Sequence, residues 1–219
     1  MGYINVSKKT KIALPSDAIL GTDNCMVQNG VLCMYNGDRS LPNSGIAYPI
    51  STLEFSSVGD TFELIMPYIA YGNSGSYDRT LFALADSTAP TVGIKRLNID
   101  NYNNQWRLVC RDVNGSLTTA QISNASPLSN EFKYIKFVIE KMSSTESRIR
   151  AYTSQDNITY SYLGDAPIYN IDILDLNTLV LGNARVAGDV FGTVGPNASI
   201  DLTNCSVKYN SQKLRDFVV

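Results

Sequence analysis

The chain has 219 residues, a 44% hydrophobic fraction and a formal net charge of −2. That suits one large β-domain with a real core, and the scattered Lys and Arg leave no basic stripe for nucleic acid or anionic lipid. No run approaches ~20 apolar residues, so no membrane insertion is expected. The absence of histidine excludes Ser-His-Asp and Cys-His catalytic arrangements.

From the start, Met1–Asp17 lacks the apolar stretch of a signal peptide, and Val6 stands where a myristoylation signal wants Ser or Thr. Residues 1–20 are read as an N-terminal arm or first strand, and 21–219 as a single β-sandwich domain. Short runs are punctuated by Asn29-Gly30, Asn36-Gly37, Asn43-Ser44-Gly45, Val58-Gly59-Asp60, Gly72 to Gly75, Asn114-Gly115 and Gly195-Pro196. Between them, strands are predicted over Val31–Tyr35, Thr61–Ala70, Thr80–Ala85, Val92–Ile99, Gln105–Asp112 and Leu117–Ser123. Further strands are predicted over Phe132–Glu140, Arg148–Thr153, Ile158–Leu163 and Thr178–Leu181, with a long strand over Ser199–Tyr209. Ile168–Leu176 is the one stretch with the look of a short helical turn. Many short strands at such spacing give an all-β fold, an antiparallel two-sheet sandwich.

The four cysteines form no Cys-x-x-Cys pair. A two-residue turn at Asn29-Gly30 sets Cys25 opposite Met34 and Met26 opposite Cys33, so Cys25 and Cys33 point to opposite faces. Free, mostly buried thiols are expected, in keeping with folding in a reducing cytoplasm.

The densest strand signal is Phe132–Asp165. Tyr134, Lys136, Val138 and Glu140 alternate with Ile135, Phe137 and Ile139. Ser154–Asn157 is a polar turn, and an aromatic run follows. Here the chain resembles the concanavalin A-like (laminin G-like) jelly-roll domains. The resemblance rests on Tyr134-Ile135-Lys136-Phe137, on Tyr152-Thr153-Ser154-Gln155-Asp156, and on Asn157 where the family usually has Gly. It returns in Leu179–Gly182, in Val190-Phe191-Gly192 and in Ser199–Asn210, whose Ser-Ile-Asp-Leu run is similar to phage tail and virion proteins. The matches cover roughly the second half of the chain.

The resemblance implies a concanavalin A-like jelly roll in a bacteriophage virion: a tail fibre, tail tip or head fibre assembled in the host cytoplasm. It implies host cell-surface glycan and other virion proteins as partners, in a homo-oligomer. Alternatives are a decoration or adaptor protein of capsid or tail that binds only protein, and a bacterial carbohydrate-binding module. The same jelly roll hosts glucanases, which need two carboxylates about 5 Å apart. Asp100, Asp172 and Asp175 have no Glu partner at that spacing, so Asp172 and Asp175 read as surface or capping acids and the chain as non-catalytic. No cofactor is expected. Some such jelly rolls hold calcium, for which Asp100, Asp112 and Asn114 have suitable oxygens, although Asp112–Gly115 reads better as a hairpin turn.

With only 17% charged residues, the surface relies on Asn, Ser, Thr and Tyr, which suits neutral polar ligands such as sugars; a base-composition bias explains the same counts. Aromatic faces cover sugar C–H surfaces while amides pair with hydroxyls. Two loops alternate these groups most closely, giving Tyr71, Asn73, Tyr77, Tyr102 and Asn103 as expected ligand contacts. Tyr160 and Tyr162 are a third candidate, and Trp106 reads as core.

Overall fold

The computed structural model describes residues 12–22, 25–35, 43–70, 79–87, 96–102, 105–111, 117–123, 133–171, 175–184 and 197–219. In chain order the strands are β1 (Ile19–Leu20), β2 (Cys25–Gln28), β3 (Val31–Tyr35), β4 (Ser44–Pro49), β5 (Thr61–Ala70) and β6 (Arg79–Ala85). There follow β7 (Arg96–Tyr102), β8 (Gln105–Arg111), β9 (Leu117–Ser123), β10 (Lys133–Lys141), β11 (Glu146–Ser154) and β12 (Ser161–Tyr169). The series ends with β13 (Thr178–Asn183), β14 (Asn197–Asp201), β15 (Ser206–Tyr209) and β16 (Gln212–Lys213). They form a seven-stranded sheet in the order β1-β4-β13-β6-β7-β8-β9 and a nine-stranded sheet in the order β12-β11-β10-β5-β14-β3-β2, with β15 beside β5 and β16 beside β15. Every pairing is antiparallel. The protein is an all-β two-sheet sandwich, as the strand pattern requires.

The core lies between the sheets. Leu32, Met34, Phe62, Leu64, Met66, Ile135, Phe137 and Ile139 from the larger sheet meet Ile46, Tyr48, Phe82, Leu84, Trp106, Leu179 and Leu181 from the smaller. Phe137 contacts Phe82 and Trp106 across the gap, at ring-centroid distances of 4.8 and 5.2 Å. The indole Nε1 of fully buried Trp106 has no hydrogen-bond partner among the described residues. Leaving such a group unmade costs about 1–3 kcal/mol, so packing rather than polarity fixes this ring. On the other face of the smaller sheet, Ala47, Ala83, Ala85, Val180 and Ala184 form a second buried cluster.

Several boundaries differ from the sequence expectations. β4 was hidden by its Asn43-Ser44-Gly45 start and by being buried on both faces, which removes the alternation. Gly45 is required there: a Cβ would come within 2.4 Å of the Leu181 carbonyl oxygen and 2.7 Å of the Asn183 nitrogen. A 3-10 turn at Leu202–Asn204 divides the long strand predicted over Ser199–Tyr209 into β14, which pairs with β3 and β5, and β15, which pairs with β5. Asp201 causes the break, its Oδ1 accepting the Thr203 N–H at 3.0 Å in competition with the ladder. The strand predicted over Ile158–Leu163 begins later, at Ser161, and continues to Tyr169. It therefore takes in Ile168 and Tyr169, which are extended; of the helical turn expected over Ile168–Leu176, Ile171 has 3-10 conformation and 172–174 lie outside the described residues. Of the strand expected over Val92–Ile99, residues 92–95 lie outside the described residues.

The Asn29-Gly30 turn has positive φ at both residues (51° and 78°), and Cys25 faces Met34 while Met26 faces Cys33, the register expected from the sequence. None of the four cysteines, all among the described residues, is in a disulfide. Cys110 is buried, whereas Cys25, Cys33 and Cys205 are only half-buried, because the first two lie in a hairpin at the sheet edge and Cys205 directly follows the 3-10 turn.

The two ends of the described chain are tied together. Ala13 and Val219 exchange backbone hydrogen bonds of 3.1 and 2.9 Å. Arg215 grips Asp17 through both guanidinium nitrogens, at 2.9 and 3.3 Å, donates to the Pro49 carbonyl at 2.6 Å, and lies 4.5 Å over the Tyr48 ring. The hydrogen bond from Arg215 holds the Asp17 carboxyl below its ordinary value. A lowered folded pKa stabilises the fold above the unfolded carboxylate value and loses that contribution as pH falls through the folded value. Asp17→Asn should therefore lower the melting temperature slightly at neutral pH, with the gap to the parent protein closing below about pH 4, the usual Asp range. A gap that does not change with pH would show that the ion pair is not what holds the ends.

Candidate functional site

The sequence-predicted loop residues Tyr71, Asn73, Tyr77 and Asn103 lie outside the described residues, as do Asp112, Asn114 and Asp172. Tyr102 ends β7, its backbone opposite Gln105, and Asp100 is paired with Thr80 and Arg107 in the same sheet. Asp175 is exposed at a positive φ of 46°. Among the described residues no group of three or more Cys, Asp or Glu side chains is arranged to hold a metal ion.

What the described structure brings together is the outer face of the larger sheet. Along β10 the burial alternates, with Ile135, Phe137 and Ile139 fully buried and Tyr134, Lys136, Val138 and Glu140 half-buried on the other side. Strand pairing extends this face into rows. Ser206, Ile65, Lys136, Tyr152 and Tyr162 stand directly opposite one another across five strands. The next row is Lys208, Glu63, Val138, Arg150 and Asp165. A bulge aligns the first row. Ala151 pairs with Gly164 but Tyr152 with Tyr162, so Leu163 is skipped and Tyr162 joins Tyr152 on the outer face.

The rings and cation of this row touch. Tyr152 and Tyr162 meet edge to face, with centroids 5.6 Å apart and planes at 63°. The Lys136 ammonium lies 5.0 Å from the Tyr152 ring centre and 4.0 Å from that of Tyr160. Such contacts contribute about 0.5–1 kcal/mol at exposed sites, enough to orient a lysine that would otherwise sample many rotamers. Tyr162 remains 56% exposed, and Ile158 beside it is 83% exposed.

Tyr160 is delivered by a pinned turn. Ser154 Oγ accepts the N–H groups of Asp156 and Asn157 at 3.2 and 3.0 Å and donates to Asp156 Oδ1 at 2.8 Å. Asp156 Oδ1 also accepts the N–H groups of Ile158 and Thr159, at 2.8 and 2.9 Å. Those backbone donors, Thr159 first, hold the Asp156 carboxyl below its ordinary value. Asn157 takes a positive φ of 61°, a conformation that Asn tolerates. The Tyr160 hydroxyl donates to Asn157 Oδ1, and burial pushes its pKa up to about 12. On the side of the sheet that Ile135 occupies, the same turn borders a depression of about 310 Å³ lined by Lys133, Thr153, Gln155, Asp156, Thr159 and Ser161. A second depression, of about 300 Å³, continues the outer face beyond Val138 toward Lys208 and Ser211.

Sequence reasoning named Tyr160 and Tyr162 as a third candidate but not Lys136 or Tyr152 as site residues. Alternation placed Lys136 outward. Its alignment with Tyr152 and Tyr162 depends on the pairing register and on the bulge, which the sequence does not state.

No protein-family model matches the chain, and no curated protein matches it. Among solved structures, the chain is similar to the binding domain of botulinum neurotoxin serotype G, at 14% identity and a TM-score of 0.46, covering 91% of this chain and 44% of that one. It is also similar to the leech intramolecular trans-sialidase, at 13% identity and a TM-score of 0.41, covering 89% and 27% of the two chains. A third is the CBM40 of Ruminococcus gnavus IT-sialidase bound to α2,3 sialyllactose, at 11% identity and a TM-score of 0.40, covering 78% and 91%. The chain thus spans less than half the length of the toxin domain it matches. The two-sheet architecture stated above rests on this chain's own strand pairing.

The outer face is separable from the core. Tyr162→Ala should change unfolding free energy by no more than about 0.5 kcal/mol, as for other surface sites, while Phe137→Ala should cost about 3–5 kcal/mol. Urea unfolding curves check both, and a Tyr162→Ala loss comparable to that of Phe137→Ala would show the ring to be a packing residue.

Proposed function

We propose that the protein is a non-catalytic, lectin-like β-sandwich that adheres to a glycan. The observation that carries this reading is the preformed outward row of Lys136, Tyr152 and Tyr162, with Tyr160 folded against it. Adjacent strands lie about 4.8 Å apart, so the row from Lys136 to Tyr162 spans roughly 10 Å, the scale of one or two sugar rings. Its rings supply faces for C–H surfaces, and its residues stand on paired strands that are packed from behind. Tyr71, Asn73, Tyr77 and Asn103, with Tyr102 at the end of β7, are the further contacts we propose.

The setting we propose is a bacteriophage virion, as a tail fibre, tail tip or head fibre that attaches the particle to the host surface. Its support is the similarity of the Ser199–Asn210 segment, with its Ser-Ile-Asp-Leu run, to phage tail and virion proteins. A glycan array combined with a host-cell binding assay tests the reading. The protein should bind both, and Tyr152→Ala or Tyr162→Ala should weaken binding about tenfold, the loss of a typical interface anchor, with the circular dichroism spectrum unchanged. Binding to virion proteins alone, with no glycan or cell retained, would replace adhesion with a decoration role.

A further inference from the structure

The charges on the outer face are unevenly satisfied, and the pattern narrows the ligand. Around the tyrosines, four acids have a cation. Glu63 is paired with Lys208 at 3.5 Å, Glu140 with Arg150, and Asp165 and Glu146 share Arg148 at 3.5 and 3.3 Å. Asp156 spends one carboxylate oxygen on the Ser154–Thr159 turn. Lys136 differs. It makes no ion pair and no hydrogen bond with any described residue; its ammonium contacts are the faces of Tyr152 and Tyr160. An ammonium has three donors and no acceptor, and aromatic faces satisfy its charge without using those donors as hydrogen bonds to oxygen. The lysine is also held at one end of the ring row, with Tyr152 and then Tyr162 extending from it across adjacent strands.

We infer that this site takes an acidic saccharide, with the sugar ring lying over Tyr152 and Tyr162 and its carboxylate or phosphate group bound by the Lys136 ammonium. The inference rests on the glycan-binding reading and names its ligand class. A saccharide acid supplies the partner that the sheet withholds from Lys136, and the tyrosines pre-pay the entropy of fixing the lysine. A charge-assisted hydrogen bond of this kind is about twice as strong as a neutral one, which makes it the discriminating contact.

The test uses the full chain and matched oligosaccharides that share one skeleton and carry no charge, a carboxylate or a phosphate. Titration calorimetry is run on the parent protein, Lys136→Met and Lys136→Arg, with melting temperatures recorded for each. Parent protein should bind one acidic form at least about tenfold more tightly than the neutral form, the scale of one charged hydrogen bond. Added salt should erode that preference. Lys136→Met should abolish the preference while leaving the melting temperature in place, and Lys136→Arg should keep it. The carboxylate and phosphate arms show which acid is read. Equal binding of neutral and acidic forms by the parent protein overturns the inference and leaves the glycan reading standing. So does an acidic preference that survives in Lys136→Met, since the cation would then lie elsewhere. Binding of no form overturns the glycan reading and this inference with it.

Discussion

Phe137 lies with its ring centre 4.8 Å from Phe82 and 5.2 Å from Trp106, both on the opposite sheet, and this contact sets the phase of β10. Side chains alternate strictly along a strand, so a slip of one residue would send Phe137 to solvent and Lys136 into the core. Burying a lysine against Phe82 and Trp106 without a partner would cost far more than any surface contact returns. The outer row exists because the inner one does. β5 extends the constraint: it pairs with β10 on one side and with β14 and β15 on the other, so the phase set at one buried aromatic junction is passed from β10 to three further strands.

Two local devices then shape the face. The bulge at Tyr152 brings Tyr162, rather than Leu163, into line with it. The turn from Ser154 to Thr159 closes on the Asp156 carboxylate and returns Tyr160 over Lys136. The ion pairs between Arg150 and Glu140 and between Arg148 and Asp165 are half-exposed, and pairs of that kind contribute little stability. Their effect is on pattern: they neutralise the acids around the lysine and leave its charge as the one these acids do not meet.

Much of the fold was legible because the strands obey simple rules. The limits of β5 and β9 follow from polar punctuation, and the Asn29-Gly30 hairpin, its register and the thiol orientations follow from turn chemistry. What was hidden has definite causes. β4 is buried on both faces, so it lacks the period-2 signal, and its Gly45 looks like a turn although it marks a close backbone approach. The 3-10 break after Asp201 depends on one side chain capturing one N–H, against an otherwise unbroken strand pattern. The late start of β12 reflects the Asp156 turn consuming Ile158 and Thr159. For the site, the alternating aromatics Tyr160 and Tyr162 were visible. The Lys136–Tyr152–Tyr162 alignment was not, because it joins three strands through a bulge. Local density of Tyr and Asn instead drew attention to 68–79 and 98–106 as loops, although 98–102 belongs to β7 and 105–106 to β8.

The central claim is that recognition occurs on the outer face of β10, β11 and β12. Backbone amide shifts followed by NMR during titration with a bound oligosaccharide test it most directly. The account predicts the largest shifts at Lys136, Tyr152, Tyr160 and Tyr162, with Ile135, Phe137 and Ile139 perturbed less. Shifts confined to residues distant from this sheet face, with Lys136 and Tyr152 unmoved at saturation, would contradict it.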